Sequence, residues 1–386
     1  MITKQEKKIY EKSYSFENFI SKSKQNLDQL KSFLINLIEK KLIENKFENS
    51  TESILKQIKI DLSDQNTGSD RFSLRPNVID ELKLIEEKQI TDYLVGRYRY
   101  EVFPQKKYLE KYPPLLQIEP TSICNYRCVF CFETDTTFTK KENGYMGQMQ
   151  LELFKQVVDE AEGKIPFITL ASRGEPLACK NIEQMLEYTN NKFLNIKMNT
   201  NASLMTEKKA HAILSSGINT LIFSADAADD KLYSELRVNG KLKTVLKNIE
   251  NFNNLHAKEY SKKKIITRVS GVKVNASQKI EDMEKLWKDL VDQVAFVKYN
   301  PWENSYTKKA NDIVEPCSDL WRRMFIWWDG LANPCDVDYK SKLQVGRFPD
   351  NKLDELWNSN IYNELREKHL NSNRKSMNPC ASCIVT

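Results

Sequence analysis

Apolar positions change their period twice along this chain. Leu27, Leu30, Leu34, Leu37 and Ile38 recur at three-to-four spacing, the stripe of an amphipathic helix. The whole preamble, residues 1–105, is polar and lysine-rich, with helical character and no period-2 alternation. Within it, Asp61 to Ser73 is rich in Asp, Ser, Asn and Gly and reads as a loop or linker. From Pro113 the texture switches to short apolar strands: Leu115–Pro120, Phe167–Ala171, Leu194–Met198, Thr220–Ser224, Ile265–Val274 and Val294–Tyr299. Helical stretches such as Leu151–Glu162, Thr206–Ser215, Leu242–Leu255 and Ile280–Leu290 lie between them. Alternating strands and helices predict parallel β/α units, and those of residues 113–305 are too few for a closed eight-strand barrel. Residues 306–386 read as a small cysteine-rich α+β unit, with a strand Met324–Trp328, a turn at Asp329-Gly330, a strand Leu343–Val345 and a helix Leu353–Leu370.

Composition narrows the class. A chain of 386 residues exceeds one ordinary hydrophobic core, so two or three packed units are expected. With 40% hydrophobic and 29% charged residues it is globular, and no apolar run approaches the ~18 residues that cross a bilayer, so no membrane partner is expected. The opening Met-Ile-Thr-Lys-Gln-Glu-Lys-Lys has no apolar secretory stretch, which makes a reducing cytoplasm the expected location. There, eight cysteines read as metal ligands rather than disulfides. The net charge of +6 is spread among alternating signs, a solvated surface and not a nucleic-acid stripe.

The cysteines fall in two groups. Cys124, Cys128 and Cys131 form a C-x3-C-x2-C run just after the first barrel strand. Three thiolates are one short of saturating an iron–sulfur cube or a tetrahedral zinc, so the site either keeps an open position for chemistry or is half a zinc site completed by a distant residue such as Cys179. Cys317, Cys335, Cys380 and Cys383 make a complete set of four, suited to a zinc ribbon or to a [4Fe-4S] cube.

The first run, with Phe130 before its last cysteine, resembles the cluster loop of the radical S-adenosylmethionine (radical SAM) superfamily. That resemblance implies a partial (β/α)6 barrel of TIM type, α/β in class, over residues 113–305; the helical preamble is an N-terminal extension outside the resemblance. The resemblance further implies a [4Fe-4S] cluster on Cys124, Cys128 and Cys131 whose fourth iron is chelated by SAM. Electron transfer to the cluster cleaves SAM to a 5′-deoxyadenosyl radical that abstracts hydrogen from substrate. Strand-end motifs follow in order: Gly174 and Glu175 of Ser172-Arg173-Gly174-Glu175-Pro176 resemble the Gly-Gly-Glu-Pro motif that receives the SAM amino group, with Arg173 replacing a glycine. Asn199 and Asn201 resemble the Thr-Asn-Gly turn near the SAM ribose, with Ala202 at the usual glycine. Ser224 and Asp226 resemble a Ser-x-Asp segment, and Arg237 stands where relatives hold the SAM carboxylate, with Arg268 as the other candidate cation. The C-terminal cysteines, with Trp328-Asp329-Gly330 and Leu356-Trp357, resemble a SPASM or twitch extension and imply one auxiliary [4Fe-4S] cluster on four cysteines.

The reaction is open at this stage. One expectation is oxidation of a small hydroxylated metabolite such as a sugar or cyclitol; the others are modification of a ribosomal peptide, by crosslinking or epimerisation, and a non-enzymatic zinc or iron–sulfur scaffold. A small-molecule substrate and an external electron donor such as flavodoxin or ferredoxin are the expected partners. Cys179 reads as a buried apolar thiol, and His211, His256 and His369 as parts of helical surface patterns.

Overall fold

The computed structural model describes residues 9–44, 47–64 and 68–386. Twelve strands are assigned among them: β1 Phe16–Ser21, β2 Leu115–Ile118, β3 Arg127–Cys128, β4 Phe167–Leu170, β5 Asn195–Thr200, β6 Ile218–Ser224, β7 Arg237–Val238, β8 Ile266–Lys273, β9 Gln293–Lys298, β10 Arg323–Ile326, β11 Leu331–Asn333 and β12 Gly346–Arg347. Ten of them form one sheet in the order β1-β9-β8-β6-β5-β4-β2-β10-β11-β12. At its centre β2, β4, β5, β6, β8 and β9 pair in parallel, which is the expected partial barrel. Helices Leu151–Ala161, Ile182–Tyr188, Glu207–Ser215, Leu242–Glu259 and Ile280–Trp287 cover its outer face. They bury Phe154, Val157, Ile213, Ile249, Phe252 and Trp287 into one apolar cluster with the strands. No helix directly follows β9; residues 299–317 run irregularly into the C-terminal unit.

Both edges of the open barrel are covered. β10 adds in parallel beside β2, and β11 and β12 extend it antiparallel. On the other edge lies β1, antiparallel to β9 with Phe19 opposite Ala295. The preamble therefore contains a strand where helix alone was expected. The burial of Phe16–Ser21 explains the missing signal: every residue but Glu17 is half-buried, so neither face alternates apolar with polar. Pairing blunts an edge that would otherwise offer free backbone groups.

Helices α1 Leu27–Glu44, α2 Asn49–Ser63, α3 Pro76–Leu82 and α4 Ile90–Glu101 pack their apolar faces into a second core. Leu34, Ile38, Leu55, Ile58, Val78, Tyr93 and Leu94 fill it, and Leu115 and Phe167, at the first residues of β2 and β4, join it. The extension is thus the floor of the barrel, at the amino ends of its strands. Polar bonds fix it there: Glu81 pairs with Lys197 at 2.6 Å, and Gln293 Nε2 donates to Asp80 at 2.5 Å. Part of the expected loop at Asp61 to Ser73 is helical, since α2 runs to Ser63; Gln65 to Thr67 lie outside the described residues. Asp61 is buried and accepts from the Phe72 N–H at 3.0 Å.

In the C-terminal unit the expected strand at Leu343–Val345 forms instead at Gly346–Arg347, and the expected single helix breaks into Leu353–Trp357 and Asn360–Leu370. The break falls at Ser359, which caps the second helix by accepting from the Tyr362 N–H.

Candidate active site

The cysteine loop rises from the carboxyl end of β2, the end at which β/α barrels place their chemistry. Gly174 lets it approach the end of β4. A Cβ there would lie 2.4 Å from the Thr121 carbonyl oxygen and 2.6 Å from that of Ile123, both backbone atoms that cannot yield. The Glu175 N–H then donates to the Ile123 carbonyl at 3.0 Å. Further on, β3 and β7 form a two-residue antiparallel ladder in which Cys128 faces Arg237.

The thiols of Cys124, Cys128 and Cys131 line one cavity of about 510 Å³ inside the barrel. Burial pushes the Cys124 thiol up to about 12, and raises Cys128 and Cys131 as well; Glu175 adds to the rise at Cys124, Asp226 at Cys128 and the neighbouring cysteines at Cys131. Such thiols ionise when cationic metal is bound. Two donors already point at sulfur: Arg237 Nη1 lies 3.7 Å from Cys128 Sγ, and the Tyr126 N–H 3.5 Å from Cys124 Sγ. Three thiols around one cavity, each for a different iron, fit a cube.

Around this mouth the strand ends bring most of the predicted residues together. Phe130, Gly174, Glu175, Asn199, Asn201, Ser224 and Arg237 all line the same cavity. Glu175 is buried, and its carboxylate accepts from the Leu177 N–H at 3.0 Å, Thr200 Oγ1 at 2.6 Å and the Asn201 N–H at 2.7 Å. It therefore ties the end of β4 to the end of β5 besides facing the cavity. Asn201 Nδ2 donates to Asn125 in the cysteine loop at 2.9 Å, which fixes the third strand end against the cluster loop. Ser172 Oγ and Asn199 Oδ1 are buried, line the cavity and have no protein partner, so both are free for a polar ligand. Ala202 has φ 59°, the left-handed region, which explains why glycine is usual at this turn.

Asp226 and Arg268 have other roles. Asp226 pairs with Arg237 through Oδ2 and accepts from the Val272 N–H at 2.6 Å through Oδ1, so it positions Arg237 rather than facing the cavity. Arg268 sits deeper, near the floor. Its Nε donates to Gln293 at 2.7 Å, its guanidinium lies 5.3 and 5.2 Å from the rings of Phe16 and Phe19, and the carboxylates that act on it are Glu81 and Asp80 of α3. Burial lowers it to about 10.

Three residues here have roles that the sequence did not assign. Arg173 and Glu119, both buried, form a two-point ion pair: Nη2 to Oε1 at 2.6 Å and Nε to Oε2 at 2.7 Å. Arg173 also donates to the Tyr339 carbonyl at 2.9 Å and lies 4.3 Å over the Trp327 ring, so the residue replacing a glycine clamps the C-terminal unit to the barrel. Glu133, two residues past Cys131, is buried in the cavity wall 3.2 Å from Arg127, and desolvation pushes its carboxyl up to about 8. A carboxylate two positions from a ligand cysteine was the one available signal.

The second cysteine group also converges. Cys317, Cys335, Cys380 and Cys383 line one small cavity with Lys12, Asp336, His369 and Arg374. Burial lifts all four thiols, Cys317 to about 12. Arg374 donates to the carbonyls of Cys383 at 3.0 Å and Cys380 at 3.4 Å, holding the terminal C-x2-C turn. His369 is buried, not on the surface as its helical pattern suggested; it accepts from the Cys317 N–H at 3.2 Å, and burial lowers it to about 3. Cys179 belongs to neither group and lies in the apolar core beside Met185.

Comparison with known proteins agrees with this geometry. Residues 118–284 match the model of the radical SAM superfamily, and residues 317–384 that of SPASM, an iron–sulfur cluster-binding domain. A GTP 3′,8-cyclase of Desulforamulus reducens is 28% identical over 195 residues, 48% of this chain and 57% of the relative, so the match spans little more than half of that protein. A GTP 3′,8-cyclase of Clostridium botulinum is 27% identical over 250 residues, 61% of this chain and 70% of the relative. The crystal structure of Streptococcus suis SuiB bound to precursor peptide SuiA shares the fold, with a TM-score of 0.51 at 15% identity over 83% of this chain and 84% of that one. Among the described residues no helix is long and apolar enough to cross a membrane. With both matched segments falling on the two cysteine groups, the chain belongs to the radical SAM superfamily, with a C-terminal SPASM-type domain, and its cofactors are SAM and two [4Fe-4S] clusters.

Proposed function

We propose that this enzyme oxidises a small hydroxylated molecule, such as a sugar or cyclitol, inside the barrel, and passes one electron of that oxidation to the C-terminal cluster. The observation that carries the reading is a shared wall: Lys12 and Asp336 line both the barrel cavity and the cavity of the four C-terminal cysteines. When bound, the cluster on Cys124, Cys128 and Cys131 supplies the electron that splits SAM into methionine and the 5′-deoxyadenosyl radical, which takes a hydrogen atom from substrate. A carbon that loses hydrogen beside a hydroxyl has one proton and one electron still to lose before it becomes a carbonyl. Four thiols leave no open ligand position at the second site, which suits it to electron transfer rather than to chelating substrate.

The cavity supports a small substrate by its size, about 510 Å³, within the range of small-molecule sites. Its floor is closed by α3 and α4, whose apolar faces meet the first residues of β2 and β4. The name of the GTP 3′,8-cyclase relatives gives them a nucleotide substrate, again a small molecule. A cytoplasmic setting with an external flavodoxin or ferredoxin would supply the first electron.

The test pairs the wild-type enzyme with a variant carrying both Cys380→Ala and Cys383→Ala, assayed anaerobically with SAM against a panel of sugars, cyclitols and nucleotide sugars. Wild type should give a product two mass units lighter than its substrate, and the variant 5′-deoxyadenosine without that product. Oxidised product at wild-type level from the variant, or a product of unchanged mass from wild type, would overturn the reading.

A further inference from the structure

One wall of the barrel cavity is more cationic than its surroundings neutralise. It lies at the seam where the N-terminal segment, α4 and β10 meet. Lys12, Arg75, Arg97, Arg322 and Arg323 line it, and the carboxylates within reach are Glu101, Asp319, Asp336 and Glu81, the last shared between Arg97 and Lys197; with Lys197 counted, six cations face four carboxylates and two positive charges are in excess. Elsewhere in the same cavity Arg237 pairs with Asp226 and Arg173 with Glu119, while Arg268 near the floor is held by Gln293.

Three of these arginines are more than nine-tenths buried: Arg97 is 6% exposed, Arg322 1% and Arg323 7%. Arg97 and Arg323 each have an Nε without a hydrogen-bond partner, although their other nitrogens are held, while Arg322 Nε faces Asp319 Oδ1 at 3.4 Å. Arg323 donates to Gln117 at 3.2 Å and Asp319 at 2.8 Å; Arg322 donates to the Tyr100 carbonyl at 3.3 Å and Ser13 Oγ at 3.1 Å. The guanidiniums of Arg97 and Arg322 lie 5.1 and 5.2 Å from the ring of Tyr100, which they flank. Although burial opposes it, Tyr100 is lowered by Arg322, Arg323 and Arg97, so the positive potential is felt within the corner. Buried cations in excess, with donors free, are costly unless a counter-charge arrives. The guanidinium fork suits an oxyanion.

We propose that this corner binds an oxyanion carried by the substrate, a phosphate ester or a carboxylate. Because the same cavity opens onto Cys124, Cys128 and Cys131, an anion held here would leave the rest of the molecule directed toward the mouth where hydrogen is removed. The proposal rests on the reading of the barrel cavity as the substrate chamber, but its test needs no turnover.

The experiment is isothermal titration of the anaerobically reconstituted full-length holoenzyme with inorganic phosphate and, separately, with malonate. One of them should bind saturably, one per chain; phosphate the tighter points to a phosphate ester, malonate to a carboxylate. Lys12→Ala and Arg97→Gln should each weaken that binding by about tenfold or more, and Lys12→Arg should restore most of it. Lys208→Ala, an exposed lysine on the outer face, should leave it unchanged. Lys12→Ala keeps the test decisive should Arg97→Gln fail to fold, since Arg97 also pairs with Glu101. Failure of both anions to saturate wild type, or equal weakening by Lys208→Ala, would overturn the subsite. Anion binding retained in an enzyme that forms no oxidised product would instead refute the oxidation alone.

Discussion

Arg237 sits directly across a two-residue strand ladder from Cys128, with its Nη1 3.7 Å from the cysteine sulfur. It is pinned from behind by Asp226 and lies 5.7 Å from the Phe130 ring. The arginine therefore reaches the cluster loop itself. A cation here offsets the negative charge that three thiolates bring, and Asp226 holds its plane. Arg237→Gln should leave Asp226 as a buried unpaired carboxylate and cost about 3–5 kcal/mol of stability. Adding Asp226→Asn should recover most of that loss. Thermal unfolding of the two single variants and the double variant measures the coupling, and additive losses would show that the pair is not a unit.

Glu175 makes a different test. Its carboxylate accepts three hydrogen bonds from this chain, two of them backbone N–H groups. Glu175→Gln keeps one acceptor oxygen but places an NH2 group against one of these donors. SAM binding should weaken by about one to two orders of magnitude, as expected for the loss of a charge-assisted bond of roughly 1.5–3 kcal/mol. Stability should fall with it, because the β4 and β5 ends lose their tie. Equilibrium SAM binding and melting temperature, measured on the same reconstituted variant, check both; weaker binding with an unchanged melting temperature would confine Glu175 to the ligand.

A third prediction concerns Arg173. Arg173→Gly restores the residue usual in the motif, yet it would strand Glu119, which is wholly buried. We expect a loss of about 3–5 kcal/mol, larger than a typical point change. The double variant with Glu119→Gln should lose less than the single one. Equilibrium denaturation reads this directly, and an Arg173→Gly protein as stable as wild type would refute the clamp.

These cases mark what sequence could and could not disclose. The barrel strands were legible because short apolar-rich segments such as Leu115–Ile118 and Phe167–Leu170 alternate with amphipathic helical ones, and the ligand cysteines because thiol spacing within one loop is local. Gly174 was legible for the same reason. Glu119 was not, since a lone carboxylate gains meaning only from Arg173, brought to it by the pairing of β2 with β4. Lys12 and β1 were hidden further still: Tyr10 bridges to Val385 at the far end of the chain, a contact that no local pattern encodes. Arg268 faces the barrel as its strand position implied, but Gln293 at the start of β9 and the carboxylates of α3 hold it near the floor.

The floor itself gives the last prediction. Glu81 on α3 is buried, accepts from Tyr93 OH at 2.8 Å and pairs with Lys197 on β5 at 2.6 Å. Burial alone would raise its carboxyl, but Lys197 and Arg97 outweigh that and bring it from 4.5 down to about 2. Lys197 is itself lowered, chiefly by its own burial, so the pair is held by geometry as much as by charge. A carboxyl whose folded value lies below its unfolded value stabilises the protein fully above the unfolded value and loses that contribution as pH falls through the folded one. Stability should therefore decline between pH ~4.5 and ~2 as Glu81 takes up its proton. Lys197→Met removes the partner and should cost about 3–5 kcal/mol near neutral pH, with a shallower acid slope because the carboxyl is no longer held down. Unfolding by urea at a series of pH values separates the two effects. An acid slope in Lys197→Met equal to that of wild type would mean that the floor is held by its apolar contacts and not by this pair.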